Sequence, residues 1–256
     1  MGNRRKALTI FLSLTLAFSV VSAQESQHIT KLSLGPFESV GISTLLDEVP
    51  LGSKSTFSPA YAVGILAVYS LNSNSKSHLW ADNLFIVMGA AYESRAMKFH
   101  PEGAPDYNQT IRLNYLMIQP SVILPVSVLG IIAGVNIGIP ISGYQKVEPS
   151  GFIITSESSP DPIGSIENGS IPRNHLNNIF DIRLGFEFGM TGNNNSQFGI
   201  YFQGSYSLSS ALPPNSFFVD GQISTSLDMG KTRISTIQIG FIYLFPLWKK
   251  EVDLTQ

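Results

Sequence analysis

The sequence predicts an all-β fold: a transmembrane, antiparallel, up-and-down β-barrel of about eight strands behind an N-terminal export signal. Three observations predict it. Residues 1–23 have the order of a cleavable leader. The remainder passes through about eight segments in which apolar and polar residues alternate. Charged residues make up only 13%, against roughly 25% in ordinary soluble domains. Mean hydropathy is positive although no long helical span is present. A lipid-facing barrel surface reconciles these facts, because alternate strand residues then become apolar on the outside.

The leader MGNRRKALTIFLSLTLAFSVVSA starts with Arg4, Arg5 and Lys6, continues as an apolar run from Ala7 to Val21, and ends on Val21-Ser22-Ala23. The run is about 15 residues, short of the roughly 20 a spanning helix needs, so cleavage after Ala23 is expected rather than an anchor. Residues 24–256 are then one barrel domain. The whole chain carries −2 and the leader three bases with no acid, giving −2 − 3 = −5 for the remainder. That balance gives no reason to expect nucleic acid. Without cysteine there is no lipidated N-terminus, disulfide framework or thiolate metal site.

Successive strand side chains point to opposite faces, so each segment is read by parity. Strand 1 lies within 28–46, is interrupted by Gly35-Pro36, and has Val40 and Ile42 as its clearest alternating pair. Strand 2, about 59–71, has Tyr61, Val63, Ile65, Ala67, Tyr69 and Leu71 on one face. Strand 3, about 80–97, sets Trp80, Leu84, Ile86, Met88, Ala90 and Tyr92 opposite Glu93 and Arg95. Strand 4, about 110–124, is expected to turn Ile111, Leu113, Tyr115 and Met117 to lipid, opposite Arg112 and Asn114. Strand 5, about 129–142, alternates Leu129, Ile131, Ala133, Val135, Ile137 and Ile139 with Gly130, Gly134, Asn136 and Gly138.

Strand 6, about 179–190, is the sharpest. Phe180, Ile182, Leu184, Phe186 and Phe188 alternate there with Asp181, Arg183, Gly185, Glu187 and Gly189. Strand 7, about 198–208, sets Phe198, Ile200, Phe202, Tyr206 and Leu208 against Tyr201, Gln203 and Ser205. Strand 8, about 232–245, sets Ile237, Ile239, Phe241, Tyr243 and Phe245 against Gln238 and Gly240, and leaves 246–256 as a short periplasmic tail. Residues 120–141 are apolar enough to suggest a membrane helix, but Pro120, Pro125, Pro140 and the β-branched residues argue for strands.

Exported barrels have short periplasmic turns and longer outer loops. With periplasmic termini the turns fall at 72–79, 125–128 and 191–197, and the loops at 47–58, 97–109, 143–178 and 209–231. The aromatics then form two girdles. Tyr69, Trp80, Phe188, Phe198, Tyr243 and Phe245 lie at the periplasmic end, and Tyr61, Tyr92, Phe180 and Tyr206 at the outer end. A soluble β-sandwich would show no such preference for strand ends.

The inward parity collects Glu93, Arg95, Arg112, Asp181, Arg183 and Glu187. An eight-stranded barrel is just wide enough to be filled by side chains, and buried charges need partners. A structural salt-bridge network plugging the lumen is the main expectation. A polar path for a small solute is the second reading, and a proton-transfer or catalytic role the third.

No catalytic or cofactor motif stands out. His28, His78, His100 and His175 are the histidines. His100 lies in an outer loop, where a barrel hydrolase would want it, and Ser209 and Ser210 lie at the mouth of another, but no serine stands at a characteristic spacing. His100, Glu102 and Asp106 match no calcium loop, and no phosphate loop or dinucleotide fingerprint is present. Asn108-Gln109-Thr110 and Asn168-Gly169-Ser170 are chance-level matches to a glycosylation triplet. No cofactor, no metal and no enzyme activity are expected.

The stretch Ile111–Pro120, IRLNYLMIQP, resembles the fourth strand of the PorT-like outer-membrane β-barrel family of Bacteroidetes-type bacteria. Gly134–Gly143, GVNIGIPISG, resembles that family's fifth strand, and Phe180–Gly189 with Ile237–Phe245 fit its later strands. The resemblance covers most of 28–245 and implies an eight-stranded outer-membrane barrel. Some members are implicated in secretion, adhesion or envelope integrity. It implies no catalytic residues. The expected role is structural or interactive, through outer loops 143–178 and 209–231, with lipid around the barrel and a protein partner at those loops. A narrow channel or a component of a secretion assembly comes second, and a lipid-modifying enzyme third.

Overall fold

In the computed structural model, the described residues are 28–45, 54–71, 84–100, 108–126, 129–148, 152–156, 159–166, 169–191, 197–212, 217–219, 222–224 and 232–251. Eight long strands dominate: β1 (His28–Leu45), β2 (Ser58–Ser70), β3 (Phe85–His100), β4 (Asn108–Val126), β5 (Leu129–Glu148), β6 (Ile179–Thr191), β7 (Gln197–Ser207) and β8 (Ile234–Glu251). Each pairs antiparallel with the next, and β8 pairs with β1, so the sheet closes as an up-and-down barrel.

The register fixes the shape of the barrel. The path Ser33–Val68–Val87–Ser121–Gly134–Arg183–Ser205–Thr236 returns to β1 at Ser43, ten residues beyond its start. With strands about 4.8 Å apart and a rise of about 3.3 Å per residue, that stagger tilts the strands by about 40°. Closure leaves no sheet edge for lipid to meet.

The exterior is an apolar belt. Val40, Ile65, Leu184, Phe202 and Ile239 are among its exposed members, and Tyr61, Tyr69, Phe180, Phe188, Phe198, Tyr206 and Phe245 are exposed toward its two edges. Tyr61 packs on Tyr92 with ring centroids 6.1 Å apart at one edge, and Tyr243 meets Phe245 at 4.6 Å at the other. This is the surface of a barrel that spans a membrane. Trp80 lies outside the described residues.

Three expectations change. Gly35-Pro36 does not interrupt β1, which is continuous. Pro36, turned outward, gives up an N–H. Gly35, turned inward, lets β8 approach: a Cβ there would stand 1.7 Å from the Tyr243 carbonyl oxygen. Residues 246–251, read as tail, are strand, with Pro246 opposite Ser33 and Glu251 opposite His28. Beyond Ser70 the pairing of β2 with β3 continues in the bond from Leu71 N–H to Leu84 O, and the turn expected at 72–79 lies outside the described residues.

The third change concerns β4, whose outer half has the opposite orientation to the one expected. Ile111, Leu113, Tyr115 and Met117 are fully buried inside, while Arg112 and Asn114 are partly exposed. Lower on the same strand, Leu116 and Ile118 face out and Gln119 and Ser121 face in. The reason is that β3, β4 and β5 rise past the outer girdle. Above it the outside is water, so the outside is polar and the inside apolar; within the belt the relation inverts. On β5, Ile141 is an extra residue between the pairs Tyr115–Pro140 and Asn114–Ser142. This bulge switches the inward set from Asn136 and Gly138 to Gly143, Gln145 and Val147.

Candidate functional site: the sealed lumen and one lipid-facing carboxylate

The lumen is filled in layers. At the level of the outer girdle, Arg95 Nε donates to Glu93 Oε1 at 2.9 Å and Arg95 Nη2 donates to Asp181 Oδ2 at 2.5 Å. The Ser207 hydroxyl donates to the other Asp181 oxygen at 2.5 Å. All four residues are buried. Arg95 Nη1 and the Tyr115 hydroxyl lie in the same layer without a protein partner.

Amide side chains extend this cluster downward. Gln238 Nε2 donates to Glu93 Oε1 at 3.1 Å, Gln203 Nε2 to Gln238 Oε1 at 2.8 Å, and Arg183 Nη1 to Gln203 Oε1 at 3.4 Å. Arg183 also donates to Gln119 Oε1 at 3.1 Å and to the Ser121 hydroxyl at 2.7 Å. One continuous network therefore joins Arg183 to Asp181 and crosses the lumen between β3, β4, β6, β7 and β8. Period-2 alternation on β3, β6, β7 and β8 supplies its members. The parity reading places Gln203 and Gln238 on the inward face but not in the expected charge network, and it does not single out Gln119 and Ser121 on β4. Their signal was their place on the inward parity of the membrane-spanning part of each strand.

Two charges expected in the network are elsewhere. Arg112 is on the outside, where its Nη1 donates to the Ser94 hydroxyl at 3.1 Å, because β4 is inverted above the girdle. Glu187 faces inward but joins none of the bonds above. It borders a cavity of about 300 Å³ at the end of the barrel that carries the termini, among Leu66, Val68, Val87, Ile123 and Leu244.

Above the network the long-loop end is packed with apolar side chains. Met97, Ile111, Leu113, Leu212 and Ile234 have no exposed surface. Chain from the two longest connections folds back over this mouth and is tied down by Asn177 N–H to Ala211 O at 3.0 Å and Ala211 N–H to Thr232 O at 2.9 Å. Ser210, considered above as a nucleophile, bonds instead to Thr232 Oγ1 at 2.8 Å and donates to Leu212 O at 2.6 Å. Ser209 accepts from Phe180 N–H at 2.7 Å. Both hydroxyls hold loop backbone. His100 is the last residue of β3, opposite Lys54, and His175 lies in a 3-10 turn (Arg173–His175). His78, Glu102 and Asp106 lie outside the described residues.

The long connections are not purely coil. Phe152–Ser156 pairs with Ser159–Ile166, Gly169–Ile171 pairs with β5, and Phe217–Val219 pairs with Gln222–Ser224. On the outer extension of β5, Lys146 forms an ion pair with Glu148. That contact holds the carboxylate below its usual range and the ammonium above its own.

One residue that the parity reading passed over stands out on the lipid side. On β1, Phe37 and Ser39 point inward at 4% and 3% exposure, so Glu38 between them points outward, like Val40 at 64%. It is the one charged side chain on the outward face of the belt among the described residues. The signal was in the sequence: Glu38 shares the parity of Val40 and Ile42.

No family model matches the chain, and no curated protein matches it. Among solved structures it is similar to the outer membrane protein OprG from Pseudomonas aeruginosa, with 13% identity over 86% of this chain and 98% of that one, at a TM-score of 0.33. It is also similar to the translocator domain of the autotransporter NalP from Neisseria meningitidis, with 8% identity over 95% of each chain, at a TM-score of 0.31.

Proposed function

We propose that this chain is an exported, non-enzymatic outer-membrane barrel that acts as a structural or interaction protein through its outer loops. The observation that carries this reading is the sealed lumen. The bonded layer from Arg183 to Asp181 and the apolar packing of Met97, Ile111, Leu113, Leu212 and Ile234 fill the interior from mid-belt to the outer mouth. Such a barrel presents its loops rather than a path. The leader at 1–23, the apolar belt and the loop asymmetry favour the outer membrane, with the termini in the periplasm. The strand patterns around Ile111–Pro120 and Gly134–Gly143 favour a PorT-like assignment within that class. The loops that would meet a partner are those between β5 and β6 and between β7 and β8.

A narrow channel or a role in a secretion assembly is the second reading, favoured by the cavity at the terminus-bearing end. Planar-bilayer recording separates the two. The purified barrel is expected to add no steady conductance. Reproducible unitary steps from wild-type protein would overturn the sealed-lumen reading.

A further inference from the structure

We propose that the outward face of β1 around Glu38 is a lateral docking surface for a membrane-embedded segment of another protein that presents a basic side chain at mid-depth. This goes beyond the loop-mediated role and rests on a different surface.

The depth of Glu38 comes from the register. It pairs with Val63 of β2 and Phe241 of β8. Tyr61 is one outward position above Val63, and Tyr243 is one outward position below Phe241. At about 40° of tilt each residue climbs about 2.5 Å and each strand step about 3 Å, so Glu38 lies roughly 8 Å from both aromatic layers. A glutamate side chain is too short to span that distance to either interface. Its surroundings are Val40, Ile65 and Phe241, exposed by 64%, 57% and 47%. A carboxylate in hydrocarbon is unfavourable and marks a functional position by default.

The chemistry restricts the occupant. Lipid head groups with cationic amines sit at the interfaces, not at mid-depth. A second copy of the chain brings no base, because no Lys or Arg lies on the outward face of the belt among the described residues. A two-fold contact through β1 would set Glu38 against Glu38, like charge against like. An Arg or Lys on a partner's transmembrane segment neutralises the carboxylate and is itself neutralised, where the low dielectric makes the attraction strong.

Because the chain has no cysteine, a single Ser170→Cys substitution on the exposed outer side labels it at one site. The labelled barrel is reconstituted in phosphatidylcholine vesicles with a dye-bearing synthetic helix of about 20 Leu and Ala residues, carrying either Arg or Leu at its centre. Energy transfer is expected to show the Arg helix associating at least about tenfold more tightly than the Leu helix. The advantage is expected to vanish in Glu38→Gln and to persist in Glu38→Asp. It is also expected to vanish in Val63→Lys, which places a base beside Glu38 within the barrel itself. A heat-induced gel shift in each variant shows that the barrel has closed. Equal association of the two helices, or an undiminished Arg preference in Glu38→Gln, would overturn the proposal. So would Glu38-dependent pairing of the barrel with itself, which would make a second copy the occupant.

Discussion

Arg95 on β3 and Asp181 on β6 join across the barrel interior, Nη2 to Oδ2 at 2.5 Å, while the same guanidinium holds Glu93 through Nε at 2.9 Å. The strands are not neighbours in the sheet, so this bond fixes the lumen rather than the ladder. Arg95→Ala leaves two buried carboxylates without a cation and is expected to lower stability by about 3–5 kcal/mol. The triple variant Glu93→Gln, Arg95→Met, Asp181→Asn removes the charges together and is expected to cost far less. Urea unfolding in lipid, followed by tryptophan fluorescence and gel mobility, separates the two outcomes.

Arg112 provides the contrast. It lies outside the barrel and its described bond is to Ser94 at 3.1 Å. Arg112→Ala is expected to change stability by less than about 1 kcal/mol. A loss as large as that of Arg95→Ala would place Arg112 back in the lumen and contradict the orientation of β4.

Gly240 gives a steric test. The Tyr201 ring crosses this glycine, and its hydroxyl donates to Glu38 O at 3.4 Å. A Cβ on residue 240 would stand 2.2 Å from the Glu38 carbonyl oxygen and 2.5 Å from the Tyr201 ring. Gly240→Ala is expected to destabilise by about 1–3 kcal/mol through overpacking. Tyr201→Ala relieves the ring clash but not the backbone one, so the double variant is expected to recover only part of the loss.

The bulge at Ile141 is a register device. Deleting Ile141 would set Ser142 directly after Pro140 and leave Gly143, Gln145 and Val147 facing inward, because the two consecutive outward residues become one and strict alternation is restored. The expected outcome is a barrel that still closes, read as the fraction of protein that migrates fast without boiling and slowly after it; loss of that fraction would show that the bulge itself is needed for closure. Ile141→Val keeps the residue count and is expected to behave as wild type.

Much of the architecture is decided by alternation along the chain. Within the belt the outside must be apolar, so β2, β6 and β8 carry Val63, Ile182 and Ile239 on one parity, and those residues indeed face out. The same rule assigns Glu93, Arg95, Asp181 and Arg183 to the inward parity, and all four are buried, since a run of charges on the lipid side is costly. Parity by itself could not say where the belt ends. At Ile111, Leu113 and Arg112 the strand has already left the bilayer, and the sense of inside and outside is exchanged. Only the closed barrel, with its stagger from Ser33 to Ser43, sets the height of each residue. Height decides that Glu38 lies in hydrocarbon and that Glu187 stands apart from the network. It also decides that glutamines from β7 and β8 bridge Arg183 to Glu93. Local sequence determines which face a side chain takes; the depth of that face, and which distant strand it meets, follow from closure of the sheet.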